Sequence, residues 1–410
     1  MTHSNPYRTM MDYLDNLVKS RFIEIFGHIR TNSKRWRCNK LGDLGDFKTG
    51  GTPSSKHEEF YNGTIPFIST PSLGPNYIDE TAAKYLITQE AIDSCATTLI
   101  PAGSLIIGTR INVGQSSINK IPLCTNQDIV SMMNVSENYD LLFLKHCIEQ
   151  YVPYLDSQKK GATIKGITVD LLKSISIPEP PIDLQRQYVN FVQQVDKSKA
   201  IVQKCIDKYD QLVKSRFIEM FGNPLNQTSE YEYAPIMSFS KCVAGATPST
   251  LIDEYWDDGT IPWLSSGEVN QGRIYSTEKK ITQKGYDNCS THIVPAHTVL
   301  IALAGQGKTR GTVAVTEIEL CTNQSICSII TDKTIEADYL YHALKIQYDR
   351  IRSMSNGDGG RGGLNLKIVG KITVPKPPIV LQQQFAKFVQ QVDKSKFNTY
   401  MLRQYSQVCS

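Results

Sequence analysis

The sequence predicts an α+β protein built from two similar globular domains, related by an approximate twofold, and two long helices. Three observations carry this prediction. Several short segments occur twice at a nearly constant spacing, apolar residues follow a heptad after a Pro-Pro pair, and short β-like runs separated by Gly, Pro and Asn fill the remainder. A chain of 410 residues has room for about two or three domains.

The repeated segments keep one order along the chain. LVKSRFIEIFG at 17–27 returns as LVKSRFIEMFG at 212–222, and the paired positions lie 195 to 197 residues apart. We call five further shared segments the landmarks: TPSS at 52–55 and TPST at 247–250, GTIPFIST at 63–70 and GTIPWLSS at 259–266, LCTNQDI at 123–129 and LCTNQSI at 320–326, ISIPEPPIDLQ at 175–185 and ITVPKPPIVLQ at 372–382, and QQVDKSK at 193–199 and 390–396. Since two units are too few for a solenoid, a duplicated domain is expected.

A long central helix is predicted at 182–222, because apolar residues there alternate at spacings of three and four. Such a helix is about 60 Å long, and Gly222 followed by Pro224 ends it. Ser198 is the small polar member of the seam. Its apolar members are Tyr188, Phe191, Val195, Val202, Cys205, Tyr209 and Leu212.

A second copy of this helix is divided between the chain ends. Residues 379–410 repeat its first half with Phe385, Phe388 and Val392, whereas residues 1–30 repeat its second half. The chain therefore resembles a closed ring of two units that is cut inside one helix. Between the helices, residues 31–181 and 223–378 form the predicted domains, each with a twisted, partly open sheet.

Composition sets broad limits on function. The net charge of +4 permits nucleic-acid binding without demanding it. Ten cysteines without a CxxC pair argue against structural zinc and disulfides, and fit a reducing cytoplasm. The chain start lacks the apolar run of a signal peptide, and no run is long enough to span a membrane. We therefore expect a cytoplasmic protein.

Three motifs resemble catalytic signatures, and each lacks an essential part. ALAGQGKT at 302–309 has Ala where a phosphate-binding loop needs Gly, and a strand-like segment follows it instead of a helix. EPPI at 179–182 and KPPI at 376–379 lack the Asp or Asn and the aromatic residue of amino-methyltransferases. The acidic group around Asp253 and Asp257 has no matching lysine strand. No catalytic residue, metal site or bound cofactor is predicted.

The landmarks, taken in order and occurring twice, resemble the specificity (S) subunit of type I restriction-modification enzymes over essentially the whole chain. This resemblance implies two target-recognition domains, each binding one half of a bipartite DNA sequence, and two antiparallel coiled-coil helices that set the spacer. It implies no catalytic activity of the chain itself. It also implies two methyltransferase subunits and ATP-driven restriction subunits as partners, on which S-adenosylmethionine, ATP and Mg²⁺ are bound. In this family the second helix usually lies mainly at the C-terminus, whereas here it is shared between both ends.

A domain that recognises base edges needs polar and basic side chains on protruding loops. The divergent stretches between the landmarks supply such side chains. The candidates are Lys56, Arg110, Asn112, Gln115, Lys159, Lys160 and Lys165 in the first domain, and Lys308, Thr309, Arg310, Arg361 and Asn365 in the second. Two alternatives stay open at this point: a DNA-binding coiled-coil adaptor outside restriction-modification, and a metal-dependent nuclease.

Overall fold

The computed structural model describes residues 6–161, 165–305, 309–354 and 363–408. The chain forms two compact units. The first unit is Leu14–Ser198, and the second unit is Lys199–Ser410 together with Met1–Tyr13. The helices are α1 Pro6–Phe26, α2 Gln89–Asp93, α3 Leu141–Gln150, α4 Val152–Ser157, α5 Val169–Lys173, α6 Ile182–Phe221, α7 Gln283–Asp287, α8 Ala337–Ile346, α9 Tyr348–Ser353, α10 Leu366–Gly370 and α11 Ile379–Val408.

Each unit contains ten strands, among the described residues, and the two sets correspond one to one. In the first unit they are β1 Cys38–Lys40, β2 Asp46–Thr49, β3 Ile65–Ile68, β4 Tyr77–Ile78, β5 Tyr85–Ile87, β6 Leu105–Gly108, β7 Ser116–Asn119, β8 Cys124–Thr125, β9 Ile129–Met133 and β10 Ser176–Pro178. In the second unit they are β11 Tyr233–Pro235, β12 Ser240–Ala244, β13 Ile261–Leu264, β14 Arg273–Ile274, β15 Lys279–Ile281, β16 Val299–Ala302, β17 Val313–Thr316, β18 Cys321–Thr322, β19 Ile326–Thr331 and β20 Thr373–Pro375.

The sheet topology repeats without change. A five-stranded sheet has the order β2-β9-β6-β7-β4 in the first unit and β12-β19-β16-β17-β14 in the second. A three-stranded sheet, β5-β3-β8 or β15-β13-β18, and a two-stranded pair, β1-β10 or β11-β20, complete each unit. Most pairings are antiparallel, but one edge strand of each five-stranded sheet, β4 or β14, is parallel to its neighbour. The predicted α+β class and duplicated domain are therefore confirmed.

The core of the first unit explains why β6 is apolar along its whole length. Leu105 and Ile107 face a cluster that includes Phe143 of α3, while Ile106 faces a second cluster with Ile68 of β3. Because both faces of the five-stranded sheet are covered, its central strand shows a continuous apolar run instead of alternation. Strand β16 has the same pattern in the second unit, with every residue buried.

The repeated phrase LVKSRFIE(I/M)FG ends a helix against a domain core in both units. In the first unit Phe22 of α1 packs edge-on against Tyr188 of α6, with ring centroids 5.3 Å apart. In the second unit Phe217 of α6 packs edge-on against Phe385 of α11 at the same separation. Helix α6 begins at Ile182 and ends at Phe221, so its first part belongs to one core and its last part to the other.

The helix seam differs from the heptad prediction near the end of α6. Leu212 is 48% exposed, and its neighbour Val213 is buried in the second-unit core. A straight helix has 3.6 residues per turn, so its apolar stripe drifts away from a strict heptad when the helix packs on a domain. Of the other predicted seam residues, Phe191, Cys205, Tyr209 and Phe388 are half-buried, and Tyr188, Val195, Val202, Phe385 and Val392 are buried.

Candidate nucleic-acid interface

The loop between β6 and β7 presents the first group of candidate residues. Thr109 directly follows the buried strand β6, and its backbone N–H donates to the carbonyl of Asp128 at 2.8 Å. The next residue, Arg110, turns outward with a side chain that is 49% exposed, and its Nη1 lies 3.3 Å from Asp128 Oδ1. Since Asp128 directly follows the landmark residues CTNQ, the shared framework holds the base of a divergent loop.

Lys160 and Gly166 lie against the loop between β6 and β7, although they are about fifty residues further along the chain. Lys160 and Gly166 exchange two backbone hydrogen bonds of 2.9 and 3.0 Å, and the N–H of Ile167 donates to Thr109 O at 2.9 Å. A Cβ atom on Gly166 would lie 2.5 Å from Arg110 Cγ, so only glycine permits this approach. Lys160 and Lys165 are exposed beside Arg110.

Three more candidates in this unit border the same loop. Lys159 Nζ is paired with Asp156 and lies 3.4 Å from the carbonyl of Ile111. Asn112 Nδ2 donates to Thr70 O at 3.4 Å. Gln115 is exposed, and its carbonyl accepts the N–H of Gly108 at 2.9 Å. The structure thus brings Arg110, Asn112, Gln115, Lys159, Lys160 and Lys165 together on one surface, which we call the basic loop surface.

Lys56 lies on a different loop, which is held by the landmarks. Thr52 of TPSS hydrogen-bonds to Gln127 of CTNQ, and the N–H of Gly51 donates to Thr125 O at 3.0 Å. Lys56 itself is exposed. The structure records no contact between Lys56 and the described residues of the basic loop surface, so its place in the interface stays a prediction.

The second unit has the same framework with a longer loop. Thr247 donates to Gln324 at 2.5 Å, as Thr52 does to Gln127. The N–H of Gly311 donates to Ala302 O at 2.9 Å and closes the loop 303–310. Thr309 and Arg310 are half-buried at the end of this loop. Candidates Lys308 and Arg361 lie outside the described residues.

Asn365 uses its side-chain oxygen for a structural purpose. It is the N-cap of α10, and its Oδ1 accepts the N–H of Ile368 at 2.9 Å. Thr168 caps α5 at the equivalent place in the first unit. The sequence pattern of a cap was available at both positions. Asn365 is exposed, and its contact with DNA stays a prediction.

Sequence reasoning missed the contacts that fasten each domain to its helix. In the first unit Asn76 Nδ2 donates to Asp196 Oδ2 at 2.7 Å, and His146 Nδ1 lies 2.5 Å from the hydroxyl of Tyr188. Burial raises the pKa of Tyr188, which keeps its hydroxyl neutral. The only signal in the sequence was the aspartate shared by the two QQVDKSK landmarks.

An ion-pair network occupies the matching place in the second unit. Arg273 Nη1 lies 2.5 Å from Glu317 Oε1, its Nη2 contacts Asp338, and its Nε lies 3.9 Å from Asp393 Oδ2. Burial alone would lower the pKa of Arg273, but attraction to Asp338 and Glu317 outweighs it and raises that pKa. Asp393 is the QQVDKSK aspartate of this unit.

The acidic residues around Asp253 and Asp257 take part in local structure. Asp253–Tyr255 forms a 3-10 turn, and Glu254 pairs with Lys284 at the start of α7. Throughout the described ranges, no group of three or more His, Cys, Asp or Glu side chains is placed to hold a metal ion. Within the same ranges, no helix is long and apolar enough to cross a membrane.

A family model described as the type I restriction modification DNA specificity domain matches the chain twice, at residues 33–208 and 228–402. The chain belongs to this family. Each match begins just after a helix that ends in a domain core and continues into the next long helix, α6 or α11. In this chain each match therefore covers a globular domain and most of the helix that follows it.

Two curated members of the family each match about half of this chain. The type I restriction enzyme EcoR124I/EcoR124II specificity subunit of Escherichia coli is 33% identical over 213 residues, which cover 49% of this chain and 47% of that protein. The MjaIX specificity subunit of Methanocaldococcus jannaschii is 28% identical over 195 residues, with 46% and 44% covered. The chain thus matches about half the length of these relatives. Among solved structures, the S subunit from M. genitalium aligns with a TM-score of 0.46 and 14% identity, covering 92% of this chain and 93% of that one.

Proposed function

We propose that the chain is the sequence-specific DNA-binding subunit of a type I restriction-modification enzyme, and that each domain binds one half of a bipartite target. The observation that carries this proposal is that both units share the same landmark contacts but differ in the loops that these contacts support. Thr52–Gln127 and Thr247–Gln324 are the same contact, whereas loops 109–113 and 303–310 differ in length and sequence. A constant framework with divergent polar loops suits a protein that recognises two unlike half-sites.

The basic loop surface has the chemistry for this task. Lys160, Lys165 and Arg110 present exposed cations that can neutralise phosphates, and Asn112 and Gln115 can hydrogen-bond to base edges. Phosphate contacts would place the loop, and base contacts would select the sequence.

The chain itself is proposed to do no chemistry. Its partners would be two methyltransferase subunits, which use S-adenosylmethionine to form N6-methyladenine, and restriction subunits, which use ATP and Mg²⁺. The landmarks occur in both units, so they are the surfaces that two copies of one partner would share. Helix α6 would fix the distance between the half-sites.

The deciding experiment is co-expression with the methyltransferase subunit, followed by genome-wide mapping of N6-methyladenine. We expect a bipartite motif with an unspecified gap. Exchange of residues 31–181 for the matching segment of another family member should change one half-site and leave the other unchanged. Methylation without a bipartite motif, or DNA binding that ignores the methyltransferase, would instead support an adaptor outside restriction-modification.

A further inference from the structure

The tip of the first-unit loop has a strained backbone at Ile111. Its φ is +59°, in the left-handed region that β-branched residues rarely adopt. The N–H of Asn112 donates to the carbonyl of Arg110 at 2.7 Å, so the hydrogen bond encloses Ile111 alone. A three-residue turn with positive φ at its centre is the rare and strained form of the γ-turn.

The surroundings hold this turn from several sides. Arg110 is fixed to Asp128, and Lys159 Nζ lies 3.4 Å from the carbonyl of Ile111. A Cβ atom on Gly108 would lie 2.6 Å from the carbonyl of Asn112, so only a glycine fits at the end of β6 beside this turn. Strained residues persist where the surrounding structure over-determines them, and they concentrate at functional sites.

The turn displays an apolar side chain in the middle of a basic surface. Ile111 is 55% exposed, it directly follows Arg110 in the chain, and Lys159 Nζ lies 3.4 Å from its carbonyl. Glycine or asparagine would take this backbone conformation with less strain. More than half of Ile111 stays exposed in the chain itself, and this exposed apolar surface is suited to a contact outside the chain.

We propose that Ile111 is a specificity-determining residue that packs on the C5-methyl group of a thymine in the major groove. The inference rests on the proposed function and names one contact within the half-site bound by the first unit. Apolar side chains recognise thymine through this methyl group, which no other DNA base carries at that position. The basic side chains of the basic loop surface would bind the flanking phosphates, and these contacts would place Ile111 against the base edges.

The contact belongs to one half-site only. In the described part of the second-unit loop, the residue with positive φ is Gly305, at +136°. A glycine there has no side chain to place on a methyl group. The described part of the second-unit loop therefore offers no counterpart of the strained Ile111, and the thymine contact is proposed for the first-unit half-site.

The test measures binding of the full chain, assembled with its methyltransferase subunits, to short duplexes that carry the mapped target. Each thymine of the first-unit half-site is replaced in turn by uracil, which lacks the methyl group. For the wild-type complex, uracil at one position should weaken binding roughly four-fold, the value of one buried methyl group. Ile111→Ala should weaken binding to the thymine duplex by a similar factor and remove the penalty for uracil.

Two further variants separate this contact from folding. Leu99→Ala removes an equally exposed aliphatic side chain, 50% exposed, from another loop of the same unit, and it should keep the uracil penalty. Ile111→Gly fits the backbone and should keep the melting temperature while losing the thymine preference. A wild-type complex indifferent to every uracil, or an Ile111→Ala complex that keeps the penalty, overturns the inference. A wild-type complex that binds a scrambled duplex equally well overturns the proposed function itself.

Discussion

Asn76 and Asp196 join the first domain to helix α6 through a hydrogen bond of 2.7 Å from Nδ2 to Oδ2. The equivalent aspartate of the second unit, Asp393, is approached instead by Arg273, at 3.9 Å from its Nε. Helices α6 and α11 supply the equivalent carboxylate in the two units, and each domain contacts it with a different residue. A shared attachment point with variable partners would let one helix position hold domains of divergent sequence.

Loss of this attachment should relax recognition in one half-site. Asp196→Ala leaves the amide of Asn76 without its acceptor and should cost about 1 kcal/mol of first-unit stability. Mapped methylation should then show weaker base preferences in the first half-site and an unchanged second half-site. Asp207→Ala removes an exposed aspartate from the same helix, where it accepts from Gln203 at 2.9 Å, and should change neither. Equal relaxation of both half-sites would contradict this assignment.

The two copies of the repeated phrase should stabilise different units. Phe22 is 1% exposed and Phe217 is fully buried, so replacement of either by alanine should cost about 3–5 kcal/mol. In calorimetry, Phe22→Ala should lower the transition of the first unit and Phe217→Ala that of the second. Leu212→Ala, at a side chain that is 48% exposed, should shift the melting temperature little. A large loss of stability in Leu212→Ala would mean that Leu212 is packed in the helix seam, as the heptad pattern predicted.

The repeats made the duplicated topology predictable, because similar segments in one order form the same strands and cores. The start of α6 at Ile182 also follows from local chemistry, since a proline pair precedes it. The shift of the seam from Leu212 to Val213 was not predictable from periodicity, because it depends on what the helix packs against.

The candidate site was predictable in part. Residue type alone selected Arg110 and Lys160, but the contact that brings their loops together runs through Gly166 and is set by tertiary structure. The γ-turn at Ile111 had no local signal, since isoleucine is among the residues least suited to positive φ. Strain of this kind is recognisable only from the backbone angles.

Glu336 should make the second unit more stable in mild acid. Burial, and then repulsion from Asp338, raise the pKa of this N-cap carboxyl from 4.5 to about 7. Between these two values the folded state binds more protons than the unfolded state, so the free energy of unfolding falls as pH rises from about 4.5 to 7. Glu336→Gln keeps an acceptor for the N–H of Tyr339 and should remove this part of the pH dependence.

Denaturant unfolding at several pH values measures this effect. The variant should gain on the order of 1–2 kcal/mol relative to wild type at pH 8, and little at pH 4.5. A constant difference between the two proteins across this range would show that the carboxyl group ionises as freely in the folded state as in the unfolded state.

The lysines of the basic loop surface should contribute to affinity without contributing to sequence preference. Removal of a lysine that neutralises one phosphate should lower the slope of log binding constant against log salt by about 0.9. Lys160→Ala and Lys165→Ala are expected to do so, and to leave the methylated motif unchanged, because phosphate contacts carry no base information. Lys333→Ala, at an exposed lysine between β19 and α8, is the control and should keep the wild-type slope. A changed motif in either loop variant would mean that the lysine contacts a base.

Helix α6 should determine the gap between the half-sites. Four residues inserted after Ala200 would add about 6 Å and roughly 40° of rotation, which corresponds to about two base pairs of a duplex that repeats every ~34 Å. The mapped motif should keep its half-site bases and gain one or two unspecified positions, or methylation should cease. The control insertion follows Leu251, which is 92% exposed on a loop and should leave the gap unchanged. New half-site bases with an unchanged gap would mean that the helix takes part in base recognition and does not set the spacing.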